Sequence, residues 1–252
     1  MIDSHAHLYF DRFDDDRNAV FDRACAEGVE AFVVVGCDLA SSRAAIKLAS
    51  LRADVYPTAG FHPTDIGDLQ EQDWDALEAL LAEGECVAVG ETGLDYYWDR
   101  TTPKDQRAAL LRQIDLALRH DLPLVVHCRD AWDALLEILE AHSEIPAGVM
   151  HCFSGDLAAM ERSLALGFDI SFAGPLTYKK NEGLRECCRL APADRIHVET
   201  DCPFLPPQAW RGKRNEPAYL SATLQKLAEV RGLSLAEADA ATTSNTRRLF
   251  GI

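Results

Sequence analysis

The chain has 252 residues, of which 48% are hydrophobic, and a formal net charge of −16. This length allows one or two domains with a sizeable core, and α/β barrels commonly reach it as one domain. The negative charge opposes nonspecific attachment to nucleic acid or to an anionic membrane. It still permits a nucleic-acid substrate that binds locally at a metal-rich cleft.

Targeting segments and cysteine usage indicate in which compartment the protein resides. No apolar run approaches the roughly 20 residues of a membrane span. The first residues lack the basic region and the apolar stretch of a signal peptide. The eight cysteines form neither a CxxC pair nor a regular framework, which fits a reducing compartment. We therefore predict a cytoplasmic protein that makes no membrane contact.

Short β-branched or apolar runs alternate with longer amphipathic runs along the chain. The predicted strands are Ile2–His7, Ala31–Gly36, Val55–Phe61, Cys86–Glu91, Leu124–Cys128, Gly148–Cys152, Phe168–Phe172 and Ile196–Asp201. The predicted helices are Asp14–Glu27, Ser41–Leu51, Asp73–Glu83, Lys104–His120, Ala131–His142, Leu157–Leu166, Pro217–Arg231 and Ser234–Phe250. This alternation predicts one α/β domain over residues 1–252, a (β/α)8 TIM-type barrel. A doubly wound open sheet is the alternative, and the lack of G-x-G-x-x-G after the first strand weakens its dinucleotide-binding form.

Helix-start residues support these helices. The predicted N-caps are Ser41, Asp73, Asp156 and Ser234. Pro103 and Pro217 suit first helical turns, because proline has no backbone N–H to leave unpaired there.

Chemically active side chains recur at the C-terminal ends of the predicted strands. These side chains are His5, His7, His62, Glu91, His127, His151 and Asp201. His5 and His7 stand on alternate positions, so they face the same side of an extended strand. In a barrel all these strand ends meet at one mouth, where active sites of this fold lie. Because scattered structural histidines would not share one end, the pattern predicts a metal site.

Three cysteines directly follow proposed ligands: Cys128, Cys152 and Cys202. Neighbouring residues of a strand point to opposite faces, which directs these thiols into the layer between strands and helices. We predict that they are small buried apolar residues and not metal ligands.

Seven motifs occur in a fixed order: DSHAHL, GFHP, GETGLDYY, HCRDA, HCFSG, ETDCPFL and RNEP. In this order they resemble the motifs of the TatD family of metal-dependent deoxyribonucleases and hydrolases. The likeness runs from residue 2 to about residue 220, and the terminal SNTRRLFG resembles the closing helix of the family. The resemblance implies a barrel, a two-metal centre and hydrolysis of phosphodiester bonds.

The resemblance also implies the ligands. One ion would be held by His5, His7 and Asp201, the second by His127 and His151, and both by Glu91. One carboxylate can join two ions about 3.5–4 Å apart. Four imidazoles favour Zn²⁺, Mn²⁺ or another transition ion, while Mg²⁺ prefers oxygen ligands but would still support turnover through a weaker site. Asp201 would accept the proton of the attacking water.

Other polar residues surround this centre. His62 resembles a family residue that contacts substrate, with a hydrogen bond to a ligand as the alternative. Glu199 would face the interior one layer deeper and contact a ligating histidine. Asp95 and the aromatic residues Tyr96, Tyr97 and Trp98 would follow Glu91 in a loop, either against a nucleobase or packed within the loop. Asn215, in the RNEP motif, completes the predicted substrate contacts.

A local basic patch is expected at the mouth despite the acidic whole. Its members are Arg129, Lys179, Lys180, Arg211, Lys213 and Arg214, all placed after strands of the same barrel end. We expect Arg129, Lys213 and Arg214 to contact the phosphates of a substrate. Because few cations are available, DNA should bind weakly, with a shallow salt dependence.

Three functions remain in competition. The leading prediction is a metal-dependent deoxyribonuclease, an exonuclease with two divalent ions (Zn, Mn or Mg). The second is a hydrolase of a non-phosphate bond (amide, lactone or aminoacyl ester) on the same barrel, because one fold hosts many reactions. The third is a metal-binding interaction protein without turnover.

Overall fold

A computed structural model describes residues 1–252. Eight parallel strands follow one another around a single sheet in chain order. Their bounds are β1 Ile2–Ala6, β2 Ala31–Val35, β3 Val55–Ala59, β4 Ala88–Asp95, β5 Leu124–Arg129, β6 Gly148–Met150, β7 Phe168–Phe172 and β8 Ile196–Val198. The order confirms the predicted (β/α)8 barrel, and the open-sheet alternative is wrong.

The ring of strands closes between β1 and the residues that follow β8. The backbone N–H of His7 donates to the carbonyl of Cys202 at 2.8 Å. The backbone N–H of Asp201 donates to the carbonyl of His5 at 2.9 Å. The first strand and the end of the last strand therefore meet beside side chains that the sequence marks as metal ligands.

Helices surround the strands. Their bounds are α1 Arg17–Ala26, α2 Leu39–Leu51, α3 Glu71–Ala82, α4 Pro103–His120, α5 Trp132–Glu140, α6 Leu157–Ala165, α7 Glu182–Leu190, α8 Leu220–Arg231 and α9 Leu235–Phe250. Helix α7 is absent from the sequence prediction. It buries Leu184, Cys187 and Cys188 at helical spacing, so cysteines supply two of its three buried positions. No helix combines the length and the apolar character needed to cross a bilayer.

The helix starts are partly as predicted. Asp156 and Ser234 are N-caps that accept from backbone N–H groups of the first turn. Ser41 and Asp73 instead occupy the third helical position of α2 and α3. Their side chains reach back to the N–H groups of the true N-caps, Asp38 and Gln70. The two helices therefore begin earlier than predicted, because the reciprocal cap uses both residues.

One of the two proline predictions is confirmed. Pro103 begins α4, where Thr102 caps the first turn. Pro217 lies in a separate 3₁₀ turn, and α8 begins only at Leu220.

The strands are buried on both faces, as expected when helices cover a parallel sheet. Every residue of β2 is buried, which explains its continuous apolar sequence AFVVV. A hydrophobic core of 53 buried residues joins the strands to the surrounding helices. This rigid core leaves the C-terminal strand ends as the place where polar side chains gather.

Candidate metal centre

Glu91 lies at the centre of a group of donor atoms from three adjacent strands. Its Oε1 is 2.9 Å from His127 Nδ1 and 2.8 Å from His151 Nε2. The two imidazole nitrogens are 3.2 Å apart. Strand β4 supplies the carboxylate, β5 supplies His127, and His151 directly follows β6. One cation at this place would have three donors.

The other oxygen of Glu91 faces a second group. Its Oε2 is 3.4 Å from His5 Nε2 and 3.6 Å from His7 Nε2, and those nitrogens are 3.1 Å apart. Asp201 Oδ1 completes the group at 3.3 Å from His7 Nε2 and 3.8 Å from His5 Nε2. The carboxylate of Glu91 is thus shared between two neighbouring sets of donors.

Hydrogen bonds on the side that faces away from the centre fix the tautomers of three imidazole rings. His7 Nδ1 faces the carbonyl of Val35 at 3.0 Å, and His127 Nε2 faces Asp95 Oδ2 at 3.0 Å. His151 Nδ1 lies 3.2 Å from Glu199 Oε1. Carbonyls and carboxylates only accept, so each of these nitrogens carries the proton. The opposite nitrogen of each neutral ring then presents a lone pair to the centre.

The resulting arrangement fits metal ions. Lone pairs of His127, His151 and Glu91 point at one another within hydrogen-bonding distance, and they repel unless a cation or extra protons lie between them. Backing of a ligand imidazole by a carboxylate or carbonyl is the usual arrangement in metal sites. Imidazole with carboxylate donors suits Zn²⁺ or Mn²⁺ better than Mg²⁺.

The pKa values of the site residues are set by two opposing effects, burial and neighbouring charges. Burial alone would raise the pKa of Glu91, but the neighbouring His151 and His62 outweigh it and hold this pKa well below the usual range. Burial would lower the pKa of His151, yet Glu91 and Glu199 raise it well above its usual value. The pKa of His5 is lowered, by burial and by nearby His151. The cluster therefore attracts positive charge, as protons or as metal.

Comparison with known proteins decides the family. A family model described as TatD related DNase matches residues 2–251. The chain belongs to the TatD family.

Individual relatives cover the whole chain. YabD of Bacillus subtilis, named an uncharacterized metal-dependent hydrolase, is 40% identical over an alignment of 254 positions. The alignment covers 100% of this chain and 99% of the relative. The protein named 3'-5' ssDNA/RNA exonuclease TatD from Escherichia coli K12 is 36% identical over an alignment of 258 positions, which covers 100% of this chain and 99% of the relative. The crystal structure of YJJV, a TatD homologue from E. coli K12, superposes with a TM-score of 0.95 at 30% identity, covering 100% of this chain and 98% of that one. This TatD-family chain is a metal-dependent hydrolase, as the sequence predicted.

His62 stands beside Glu91 and His127 in this TatD-family site. Its Nε2 is 3.6 Å from Glu91 Oε1, and its ring centroid is 4.4 Å from that of His127. Its Nδ1 accepts from the backbone N–H of Thr64 at 3.2 Å, so Nε2 carries the proton. Burial, with the neighbouring His127, lowers the pKa of His62 to about 3. His62 is therefore a neutral donor that faces the site.

Asp95 differs from the prediction. The sequence places it in a loop as a substrate contact, whereas it is the buried last residue of β4. The strand extends beyond Glu91 because Leu94 and Asp95 pair with Cys128 and Arg129 of β5. Asp95 is consequently buried and contacts the side of His127 that faces away from Glu91.

Cys37 is the site residue that the sequence analysis missed. It follows β2 at the mouth, and its Sγ lies 3.5 Å from Glu91 Oε2 and 3.8 Å from His7 Nδ1. Its position two residues after a buried strand was the available indication. Of the three cysteines predicted to point away, Cys128 and Cys202 are buried and Cys152 is partly buried.

The predicted substrate contacts of the RNEP segment, Arg214 and Asn215, have partners within the protein. Arg214 pairs with Asp16 at 2.8 Å and covers the ring of Phe13. Asn215 is fully buried, and its amide donates to the carbonyls of Thr200 and Phe204. Both side chains therefore hold the segment after β8 in place, Arg214 through an ion pair and Asn215 from within the core.

Other predicted cations remain exposed. All five are exposed: Arg129 at the end of β5, Lys179 and Lys180 after β7, and Arg211 and Lys213 after β8. None of them forms an ion pair with a carboxylate, in contrast to Arg214. The mouth thus keeps unpaired positive charge in a chain whose net charge is −16.

Proposed function

We propose that this TatD-family hydrolase is an exonuclease that cleaves phosphodiester bonds of single-stranded DNA or RNA from the 3′ end, with two divalent ions. The observation that carries the proposal is the division of Glu91 between two donor groups, which suits the charge of a phosphodiester under attack. The relative from E. coli named as a 3'-5' ssDNA/RNA exonuclease supports the substrate and the polarity.

We propose that His5, His7 and Asp201 hold one ion, His127 and His151 the other, and Glu91 both. When bound, such ions activate water at neutral pH and offset the charge that develops on phosphate oxygens. Zn²⁺ and Mn²⁺ suit these donors best, and Mg²⁺ suits them less well.

Asp201 is our candidate for the proton acceptor. Its carboxylate lies 3.3 Å from His7 Nε2, and the residue is 8% exposed, so it borders both the donor group and the open mouth. It is held there by the hydrogen bond from its backbone N–H to the carbonyl of His5. From this place it would take the proton of an attacking water.

His62 and the exposed cations would orient the phosphate. The Nε2–H of neutral His62 can donate to a phosphate oxygen without carrying charge away from the ions. Arg129 and Lys213 would bind the flanking phosphates. With so few free cations, nucleic acid should bind weakly.

A hydrolase of amides, lactones or aminoacyl esters is not favoured, because no observation at the site prefers an uncharged substrate over a phosphodiester. We further propose that residues 1–252 act as one domain. A cytoplasmic location is supported by eight cysteines that are all free thiols.

The test uses metal-loaded protein and single-stranded oligonucleotides of DNA and RNA, labelled at the 5′ end or at the 3′ end. We expect stepwise release of mononucleotides from the 3′ end, no release after chelation, and recovery on adding Mn²⁺ or Zn²⁺. Cleavage only inside the strand, or rapid hydrolysis of an amide or lactone with intact oligonucleotides, would contradict the proposal.

A further inference from the structure

Two neighbouring aromatic side chains stand in solvent beside the metal centre. Tyr97 is 53% exposed and Trp98 is 48% exposed, and their rings meet edge to face at 4.9 Å. Arg129 of β5 places its guanidinium carbon 3.6 Å from the Tyr97 ring centroid and 5.8 Å from that of Trp98. We call Tyr97, Trp98 and Arg129 the aromatic shelf. A contiguous exposed apolar patch of this kind usually marks a binding surface.

The shelf is fixed relative to the metal centre by one carboxylate. Asp95 Oδ1 accepts from the backbone N–H groups of Tyr97 at 2.9 Å and Trp98 at 3.0 Å. Asp95 Oδ2 accepts from His127 Nε2 at 3.0 Å. Arg129 is two residues beyond His127 on the same strand, roughly 7 Å along it. The shelf therefore lies one nucleotide's reach from the donor groups.

The chemistry of the shelf matches a nucleotide. An indole ring and an arginine plane stacked on a phenol ring offer flat surfaces to a base, and such stacking tolerates any sequence. Arg129 has no carboxylate partner, so its N–H groups are free for a phosphate. In a duplex each base is paired with the opposite strand and stacked on its neighbours. Only an unpaired nucleotide can therefore lie flat on this surface.

We propose that the aromatic shelf binds the base of a nucleotide adjacent to the reacting phosphodiester, with Arg129 against its phosphate, and thereby selects unpaired strands. The inference rests on the proposed function, since it concerns the substrate of the same site. It adds a base-binding subsite that discriminates single from double strands without reading sequence.

The first experiment measures binding alone. Metal-loaded protein is titrated into a fluorescent phosphorothioate oligo(dT), chosen because it resists hydrolysis. Trp98→Ala and Arg129→Ala should each raise Kd by between about 5-fold and 100-fold, whereas Trp98→Phe should retain most of the affinity. The matched control is Leu51→Ala, which removes a more exposed apolar side chain, 71% exposed, from the C-terminal end of α2. Metal content and melting temperature should be unchanged in all four variants.

The second experiment removes the base instead of the side chain. An oligonucleotide with abasic terminal positions should bind wild type as weakly as the intact one binds Trp98→Ala, and should lose nothing further in that variant. A blunt duplex should bind wild type more weakly than the single strand. Equal Kd values for wild type and Trp98→Ala, or no effect of the abasic positions, would overturn the shelf.

The two proposals fail separately. If the protein binds oligo(dT) through the shelf but cleaves no oligonucleotide, the proposed nuclease function is wrong, and the shelf stands as a surface that binds unpaired nucleotides. If it cleaves oligonucleotides with the same kcat and KM in wild type and Trp98→Ala, the shelf is wrong and the function stands. If light scattering shows a dimer that Trp98→Ala dissociates and oligo(dT) does not, the surface joins two copies of the chain and the shelf proposal is overturned.

Discussion

Asp95 and His127 are joined by a hydrogen bond of 3.0 Å between Oδ2 and Nε2, on the side of the imidazole that faces away from the metal centre. This bond holds the proton on Nε2 and leaves the Nδ1 lone pair toward Glu91. The other oxygen of Asp95 holds the turn that carries Tyr97 and Trp98. One buried carboxylate therefore positions both His127, a proposed metal ligand, and the surface beside it.

Replacing Asp95 with asparagine should weaken one ion site. If the amide oxygen keeps the turn, the amide NH2 group opposes the Nε2–H of His127, and the imidazole changes tautomer. We expect a loss of about 10- to 100-fold in affinity for one of the two ions. Calorimetric metal titration measures this, with Asp133→Asn, an exposed carboxylate on α5, as the control. Two unchanged affinities would show that Asp95 does not orient His127.

Glu91→Gln and His127→Ala should differ in how many ions they affect. The amide keeps one oxygen acceptor but loses the charge that both donor groups share, so both ions should be bound more weakly. His127→Ala removes a donor from one group only. Elemental analysis after equilibration with Mn²⁺ should give a stoichiometry near one ion for His127→Ala and below one for Glu91→Gln. Equal stoichiometries in the two variants would contradict the shared carboxylate.

Asp201→Asn separates proton transfer from metal binding. The amide oxygen still coordinates weakly but accepts no proton at neutral pH. We expect kcat to fall by about 100- to 10,000-fold, the usual range for a lost general base, with a smaller loss in metal affinity. Retention of near-native kcat would assign proton transfer to another group.

Metal affinity should rise with pH. Burial would lower the pKa of His127, but Asp95 and Glu91 raise it, and the pKa of His151 is raised more strongly by Glu91 and Glu199. In the ion-free protein these rings therefore hold protons to a higher pH than free imidazole does, and an ion must displace them. Affinity should be lowest below these raised pKa values and level off above them. Release of protons on Zn²⁺ addition, measured in buffers of different ionisation enthalpy, checks the sign.

Arg214 and Lys213 should affect different properties. Arg214 lowers the pKa of Asp16 from 3.8 to about 2, aided by Arg23, so the pair stabilises the fold above pH 3.8 and is lost as the pH falls toward 2. Arg214→Ala should cost about 1 kcal/mol at neutral pH, because the pair is partly exposed to solvent. In this variant the free energy of unfolding should also fall less steeply as the pH decreases from 3.8 toward 2. Lys213→Ala should leave stability unchanged, raise KM for oligonucleotides, and reduce the salt slope by about 0.7. If Arg214→Ala instead raised KM for oligonucleotides and left stability unchanged, Arg214 would be a substrate contact.

The site residues whose positions the sequence predicted well are recognisable from patterns among neighbouring residues. His5 and His7 alternate on a strand, and His127 and His151 each end an apolar run, so strand ends and period-2 alternation were sufficient to bring them to one mouth. The barrel followed from the alternation of strands with helices. These features need only neighbouring residues.

The positions that were wrong depend on distant partners. The end of β4 is set by its pairing with β5, which carries Asp95 into the barrel wall. Arg214 finds Asp16, 198 residues earlier in the chain, and no local pattern indicates that pair. Helix α7 was overlooked because two of its three buried residues are cysteines, which do not read as a helical apolar stripe.

The two donor groups differ in how far apart their residues lie along the chain. Glu91, His127 and His151 come from three strands that are neighbours in sequence, so this group can assemble from one contiguous segment. The group of His5, His7 and Asp201 joins the first strand to the segment after the last, at the hydrogen bonds that close the ring. An ion held there would fasten the two ends of the barrel to each other. Chelation should therefore speed amide exchange in β1 and β8 before it affects β4 to β6, with the order of loss set by chain topology and not by affinity.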